Sequence, residues 1–376
     1  GGDASASNAR GCAAGRRATC WVVDLTAEPT DPMPRSAHDA IALGPPSVLS
    51  TWAFDLLREV CALVPDSAAI RAIDRHDILE PDGDRVPLVY LSHFPSPSLL
   101  AECGAGNAPI LLCLDDPVDS VRYLQHGSNV SLVEALRLQT AAAASYVELR
   151  GNPRLLILHR LVDAPTGDLL DSILDHFGLE LPRERHQRLR LTRLGPNGRD
   201  SDLESSLQSC IGGYEPLDEA QYAPKEIAMI GGALSPLIQM SFSENAGPVV
   251  WPTEAFLSGD RPDTPASLVA ELTGGARILY YGPYFYLPAG SWSARMMVGF
   301  SAGARRTPFS VEVVAGQLLA RASMIPESKG IFHASFGFTH DDASQPVEIR
   351  VRTDRGAIEG RLAFGNVEFS LDRFPG

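Results

Sequence analysis

The sequence predicts an α/β protein: a mostly parallel, helix-covered sheet in the larger N-terminal part, followed by an antiparallel β-sandwich. Three observations carry this expectation. Between Asp39 and Phe242, short apolar runs alternate with segments of helical periodicity, the pattern of strands covered on both faces. From about Gly247 the grammar changes to strict alternation of apolar and polar residues between Gly, Pro and Asp clusters, the mark of a sandwich. Ile41–Val64 joins an apolar strand to an amphipathic helix through a Gly/Pro turn and a Ser-Thr pair, the layout of a phosphate-binding strand–loop–helix.

Each element follows from its residues. Residues 1–36, rich in Gly, Ala, Ser, Asp and Pro, are expected to form a flexible leader with one short strand at Cys20–Leu25. Ile41–Leu43 is expected as a buried strand. Thr51–Val64 is expected as a helix, because Trp52, Leu56, Val60 and Val64 recur every fourth residue while Asp55, Arg58 and Glu59 face away. Val86–Ser92, Ile110–Leu114 and Leu155–Leu158 supply further strands, with Ser131–Leu149 and Gly167–Phe177 as helices between or after them. Gly195–Gly213 is polar and is expected as a loop. Asp218–Phe242 is expected as a last helix, broken near Gly231-Gly232. In the second part, Trp292, Ala294, Met296, Val298 and Phe300 alternate with other residues. So do Phe309, Val311 and Val313; Val347, Ile349 and Val351; and, with one break, Phe364, Val367, Phe369 and Leu371. The expected division is a leader at 1–36, an α/β domain at 37–245 and a sandwich domain at 246–376.

Composition narrows the function classes. The 376 residues are 44% hydrophobic and 21% charged, with a net charge of −14; this describes a soluble globular protein. An acidic surface argues against a nucleic-acid partner, which needs a positive stripe. No apolar run reaches the roughly 18 residues of a membrane span. Lys225 and Lys329 are the only lysines among 32 basic residues, so none lies near the loop after the first strand. The six cysteines contain no C-x-x-C pair, which argues against zinc and a disulfide framework and for a reducing, cytoplasmic location. Cys61 and Cys113 sit in apolar runs and are expected as buried thiols. The chain begins at Gly1 rather than Met, which fits a trimmed chain or a fragment.

The loop at 44–51 departs from the standard phosphate loop, G-x-x-x-x-G-K-[ST]. Gly44 and Thr51 fit the spacing, but Leu49 stands for the second glycine and Ser50 for the lysine. A phosphate-loop kinase is therefore disfavoured. Four segments in order carry a resemblance to another family: Ser47-Val48-Leu49-Ser50-Thr51-Trp52, Leu91-Ser92-His93-Phe94-Pro95, Leu114 to Val121 (LDDPVDSV), and Leu158-His159-Arg160-Leu161 with the helix ending in HFGLEL. Together they resemble the sulfotransferases that use 3′-phosphoadenosine-5′-phosphosulfate (PAPS), over Asp39 to Phe242. The resemblance implies PAPS as co-substrate, bound by Ser47, Ser50, Thr51 and Trp52, with Arg122 and Arg160 as the nearest compensating cations. It implies that His93 is the general base toward an acceptor hydroxyl, on a glycan or a small molecule. The departures concern charge. Where the family has basic residues, this chain has Ser47, Leu91 and Asp115; the loop glycine is Leu49 and the 3′-phosphate serine is Tyr123.

The residues also have plainer readings. His93 closes a predicted strand at the carboxyl edge, where parallel sheets hold their sites, and an imidazole of pKa about 6.5 suits a base; it is equally a strand-closing His bonded to backbone. Ser50 and Thr51 suit an anion at a helix start or a simple cap. Trp52 suits core packing. Asp115-Asp116-x-x-Asp119 reads as a strand-to-helix turn capped by Asp, ahead of a metal cluster, and no metal is expected. Tyr280 to Trp292 (YYGPYFYLPAGSW) resembles carbohydrate-binding-type sandwiches, which makes Tyr284, Tyr286 and Trp292 candidate sugar-stacking rings; core aromatics are the other reading. Two functions remain open: a sulfuryl transferase acting on a glycan or small-molecule hydroxyl, and an inactive relative that keeps the fold and uses its sandwich to recognise a glycan or protein.

Overall fold

The computed structural model describes residues 40–63, 69–72, 88–105, 108–160, 165–193, 202–212, 214–215 and 222–374. The leader expected at 1–36, with its strand Cys20–Leu25, lies outside them. The described residues belong to one compact unit. Its first part runs β1 (Ala40–Leu43), α1 (Val48–Leu63), β2 (Ala69–Ala72), β3 (Leu88–Ser92), α2 (Pro97–Gly104), β4 (Ile110–Leu114), α3 (Pro117–Ser128), α4 (Leu132–Tyr146), β5 (Leu155–His159), α5 (Thr166–Phe177), α6 (Arg183–Arg193), α7 (Leu203–Cys210) and α8 (Pro224–Met240).

The five strands form one parallel sheet in the order β2-β3-β1-β4-β5. Successive side chains of a strand point to opposite faces, and the two faces here have separate cores. Ile41, Leu43, Ile110, Leu112 and Leu114 pack toward α2, α3, α4 and α8. Ala42, Leu111 and Cys113 pack toward α1, α5, α6 and α7. The central β1 is flanked by strands reached in opposite directions along the chain, so a topological switch point falls at its carboxyl end. The loops after β1, β3, β4 and β5 meet there, which is why residues far apart in sequence share one site.

Two helices depart from the sequence expectation. The segment expected as a loop at Gly195–Gly213 contains α7, anchored by Leu203 and Leu207 and capped by Asp202, whose side chain accepts the Ser205 N–H at 2.7 Å. The helix expected to break near Gly231-Gly232 runs without interruption from Pro224 to Met240. Gly232 serves close approach instead: a Cβ there would lie 3.1 Å from the Val250 carbonyl oxygen.

The second part holds β6 (Val249–Trp251), β7 (Leu257–Ser258), β8 (Val269–Glu271), β9 (Ile278–Tyr281), β10 (Pro283–Phe285), β11 (Gly290–Phe300), β12 (Phe309–Ala315), β13 (Gln317–Met324), β14 (Gly330–His340), β15 (Val347–Thr353) and β16 (Arg361–Arg373). One antiparallel sheet has the order β14-β11-β16-β6, with β8 also on β16. The other has β13-β12-β15-β9-β7, with β10 on β15. The alternating residues of the sequence line the space between them. Trp292, Ala294, Met296, Val298 and Phe300 are all buried, as are Phe364, Val367 and Phe369. The break in the last run is a bulge, where the β11–β16 register shifts between Met296 and Val298.

Candidate functional site

Ser47 ends the β1–α1 loop and caps α1. Its Oγ accepts the Ser50 N–H at 3.1 Å, and its carbonyl accepts the Thr51 N–H at 3.0 Å. Both Ser hydroxyls are turned into the loop. The Ser47 and Ser50 oxygens are 2.7 Å apart, Ser50 Oγ also donates to the Pro45 carbonyl, and both residues are 0% exposed. Thr51 Oγ1 donates to the Ser47 carbonyl at 2.8 Å and lies 3.0 Å from the Tyr123 hydroxyl. Gly44 permits this packing, since a Cβ there would lie 2.8 Å from Ser50 Oγ. Trp52 is fully buried, with its indole N–H on Ser206 Oγ at 3.1 Å.

The free N–H groups of a helix start attract an anion. Here the anion belongs to the chain. Asp115, at the end of β4 and 0% exposed, accepts the Leu49 N–H through Oδ2 at 3.0 Å. Its Oδ1 accepts the Asp116 N–H at 2.8 Å and Arg160 Nη1 at 2.9 Å. Arg160, just past β5, also reaches Asp119 at 3.2 Å, Glu204 at 2.7 Å and the Tyr214 hydroxyl. Thus three carboxylates surround one guanidinium. Burial works against the Arg160 charge, but Asp115 and Asp119 more than offset it and hold the group protonated. Burial pushes the Asp119 carboxyl up to about 6; Arg160 opposes this, while Asp115, Asp116 and Glu204 add to it.

The Arg122 guanidinium donates to the Glu215 carbonyl at 3.4 Å. Asp116 caps α3, accepting the Val118 and Asp119 N–H groups at 2.8 and 3.2 Å. Among the described residues no group of three or more His, Cys, Asp or Glu is placed to hold a metal ion.

His93 follows β3 and is half-buried. Its Nδ1 lies 2.8 Å from the Gly44 carbonyl oxygen, and Phe54 packs on the ring at 5.0 Å between centroids. A carbonyl only accepts, so Nδ1 carries a proton and donates to it. Tyr146 donates its hydroxyl to the His93 carbonyl at 2.7 Å. The imidazole thus stands at the carboxyl edge of the sheet with Nδ1 turned to the β1–α1 loop.

The residues fit PAPS poorly. Leu49 N–H, the buried donor at the loop, is already bonded to a carboxylate, and Arg160 is held by three acidic groups. A phosphate would have to displace charge-assisted bonds of about 1.5–3 kcal/mol each and then sit beside Asp115.

The three candidate rings of the second part separate. Trp292 is 1% exposed, and its indole N–H donates to the Pro288 carbonyl at 3.1 Å, so it offers no face to a sugar. Tyr284 and Tyr286 are half-buried where β10 meets α4. Tyr286 N–H donates to Thr140 Oγ1 at 3.3 Å, and Arg137 Nε donates to the Pro283 carbonyl at 2.8 Å. The Arg137 guanidinium lies 5.3 Å from the Tyr284 ring centre. Tyr284 Oη donates to Glu348 at 3.1 Å, and Arg350 pairs with the other Glu348 oxygen at 2.6 Å. Tyr284 has φ +67, a strained value for a bulky residue. Arg137, Glu348 and Arg350 carried no local sequence signal. Only the alternation Val347, Ile349, Val351 marks Glu348 and Arg350 as sharing the opposite face.

No family model matches the chain, and no curated protein does. Among solved structures, mouse sulfotransferase SULT7A1 complexed with PAP aligns at 12% identity and a TM-score of 0.35, covering 55% of this chain and 84% of that one. A carbohydrate-binding module, CBM36 in complex with calcium and xylotriose, aligns at 14% identity and 0.23, covering 32% and 98%. TmCBM61 in complex with β-1,4-galactotriose aligns at 11% and 0.22, covering 33% and 87%.

Proposed function

We propose that the chain is a recognition protein on a sulfotransferase-like scaffold whose donor site is closed from within, and that its sandwich presents a sugar-binding surface at the junction with α4. The Leu49–Asp115 hydrogen bond carries the first half. It places a carboxylate where a donor phosphate would need the helix start, at 3.0 Å and out of solvent. The Tyr284 cluster supports the second half. A half-buried ring held by Glu348 and Arg137, with Arg350 and Glu348 as donors and acceptors beside it, suits the apolar face and hydroxyl rim of a sugar.

A transferase using PAPS is the second reading. The position of His93 just past β3, at the carboxyl edge of the parallel sheet, favours it, because sites of such sheets lie there. Calorimetric titration of adenosine 3′,5′-bisphosphate into the full chain separates the two. The expected result is no saturable heat and no thermal stabilisation at millimolar ligand; saturable binding would return the transferase reading. A glycan array probed with wild type and Tyr284→Ala tests the sandwich, and a sugar retained equally by both would place recognition elsewhere.

A further inference from the structure

Among the described residues, the strand β14 is the edge of its sheet and pairs with β11 alone. Eleven residues long, it reads GIFHASFGFTH: no Lys, Arg, Asp, Glu or Pro. Edge strands are ordinarily blunted by charge, proline, bulges or brevity, because their free N–H and C=O groups template pairing with another chain. The other edges show such devices. β7 has two residues and β8 three, and β13 carries Arg321 and a register shift against β12. Against β11, β14 is in register along its whole length. Two of its apolar residues are incompletely covered: Ile331 is 75% exposed and Phe332 38%.

We propose that β14 pairs with β14 of a second copy, antiparallel about a two-fold axis through Ser335, joining two sandwiches through one continuous sheet. The sequence of this edge is complementary to itself in that register. Phe332 meets Phe338 of the other copy and Ala334 meets Phe336, all from the row that faces the sandwich interior, so the apolar layer continues across the axis. On the outer face Ile331 meets Thr339, and His333 meets Gly337. One step beyond the strand, Lys329 of each copy meets Asp341 of the other. Both are exposed, and Lys329 is one of two lysines in the chain. The edge thus places opposite charges at both ends and no like charges along its length. This complementarity selects a second copy as the occupant, because a two-fold contact must match itself.

Ser335 is exposed on the outer face and meets itself at the axis. Directly opposed side chains lie about 5 Å apart, so like charges there repel. Sedimentation equilibrium of the full chain is expected to give the dimer mass for wild type and Ser335→Ala, and the monomer mass for Ser335→Lys and for Ser335→Glu. An equimolar mixture of the two charged variants is expected to return the dimer mass. Circular dichroism and melting of each variant, unchanged, confirm the fold. A monomeric wild type overturns the proposal, as does a Ser335→Lys dimer as strong as wild type or a charged mixture that stays monomeric. Protected β14 amides in a monomeric wild type would mean that a different segment covers the edge, and would overturn it as well.

Discussion

Asp115 sets the chemistry of the β1–α1 loop more than any residue of the loop itself. It is buried, and its three acceptor contacts join Leu49, Asp116 and Arg160. Removing one partner of a buried ion pair leaves the other uncompensated, at a cost of about 3–5 kcal/mol. Asp115→Ala is therefore expected to lower unfolding free energy by about 3 kcal/mol or more, read from urea denaturation. A loss below about 1 kcal/mol would mean that Asp119 and Glu204 suffice for Arg160. Asp119 makes a separate prediction. Burial raises its carboxyl to about 6, above the unfolded value near 3.9. Between those values the folded state binds more protons than the unfolded one, so stability falls as pH rises through this window. The contribution is complete below about pH 4 and gone above about pH 6. Denaturation midpoints across that range should fall less steeply with rising pH in Asp119→Asn than in wild type; equal slopes would refute the assignment. The sequence displayed the charge reversal at Asp115, but not its consequence. The Leu49 N–H lies 66 residues away, and only the parallel order of β1 and β4 brings the two together.

Elements with a strong apolar period were the legible ones. Each apolar run expected as a strand, from Ile41–Leu43 to Leu155–Leu158, overlaps a strand of the sheet, and the alternating runs of the second part line its core. The same alternation already held the fate of Trp292, which shares parity with Ala294, Met296 and Val298 and so points inward with them. What escaped were helices whose stability comes from contacts rather than pattern. α6 buries only Leu189 among charged residues, and α7 buries Leu203 and Leu207 within a Ser-rich segment. The tie between α7 and α1 is the Trp52 indole on Ser206, whose hydroxyl donates onward to the Arg193 carbonyl at 2.6 Å. Trp52→Phe removes that donor and part of a fully buried ring, so it should destabilise by about 1–3 kcal/mol. It should also speed amide exchange in α7 more than in β4. Uniform acceleration across the molecule would show that the indole contributes bulk only.

At the scale of the molecule, the α/β layer and the sandwich share a hydrophobic core. α8 lays Met229, Ile230, Leu234 and Leu237 into the same cluster as Val249 and Trp251, and Gly232 lets its backbone approach β6. Trp251 in turn packs on Phe369 and Phe285, with ring centres 4.3 and 5.7 Å apart. Arg137 and Thr140 of α4 bind the backbone around β10. The sequence boundary between residues 245 and 246 thus falls in the short link between α8 and β6, where the chain crosses an apolar contact. Elements that share a core unfold together when the shared contacts outweigh what each retains alone. Calorimetry of the full chain should therefore give one transition with equal calorimetric and van't Hoff enthalpies. A fragment ending at residue 245 would leave the exposed face of α8 without its partner, a large contiguous apolar patch of the kind that drives association. That fragment should aggregate or lose its cooperative melt. Two resolved transitions in the full chain, together with a soluble, cooperatively melting fragment, would show instead that the contact between α8 and β6 is a docking surface between independent domains.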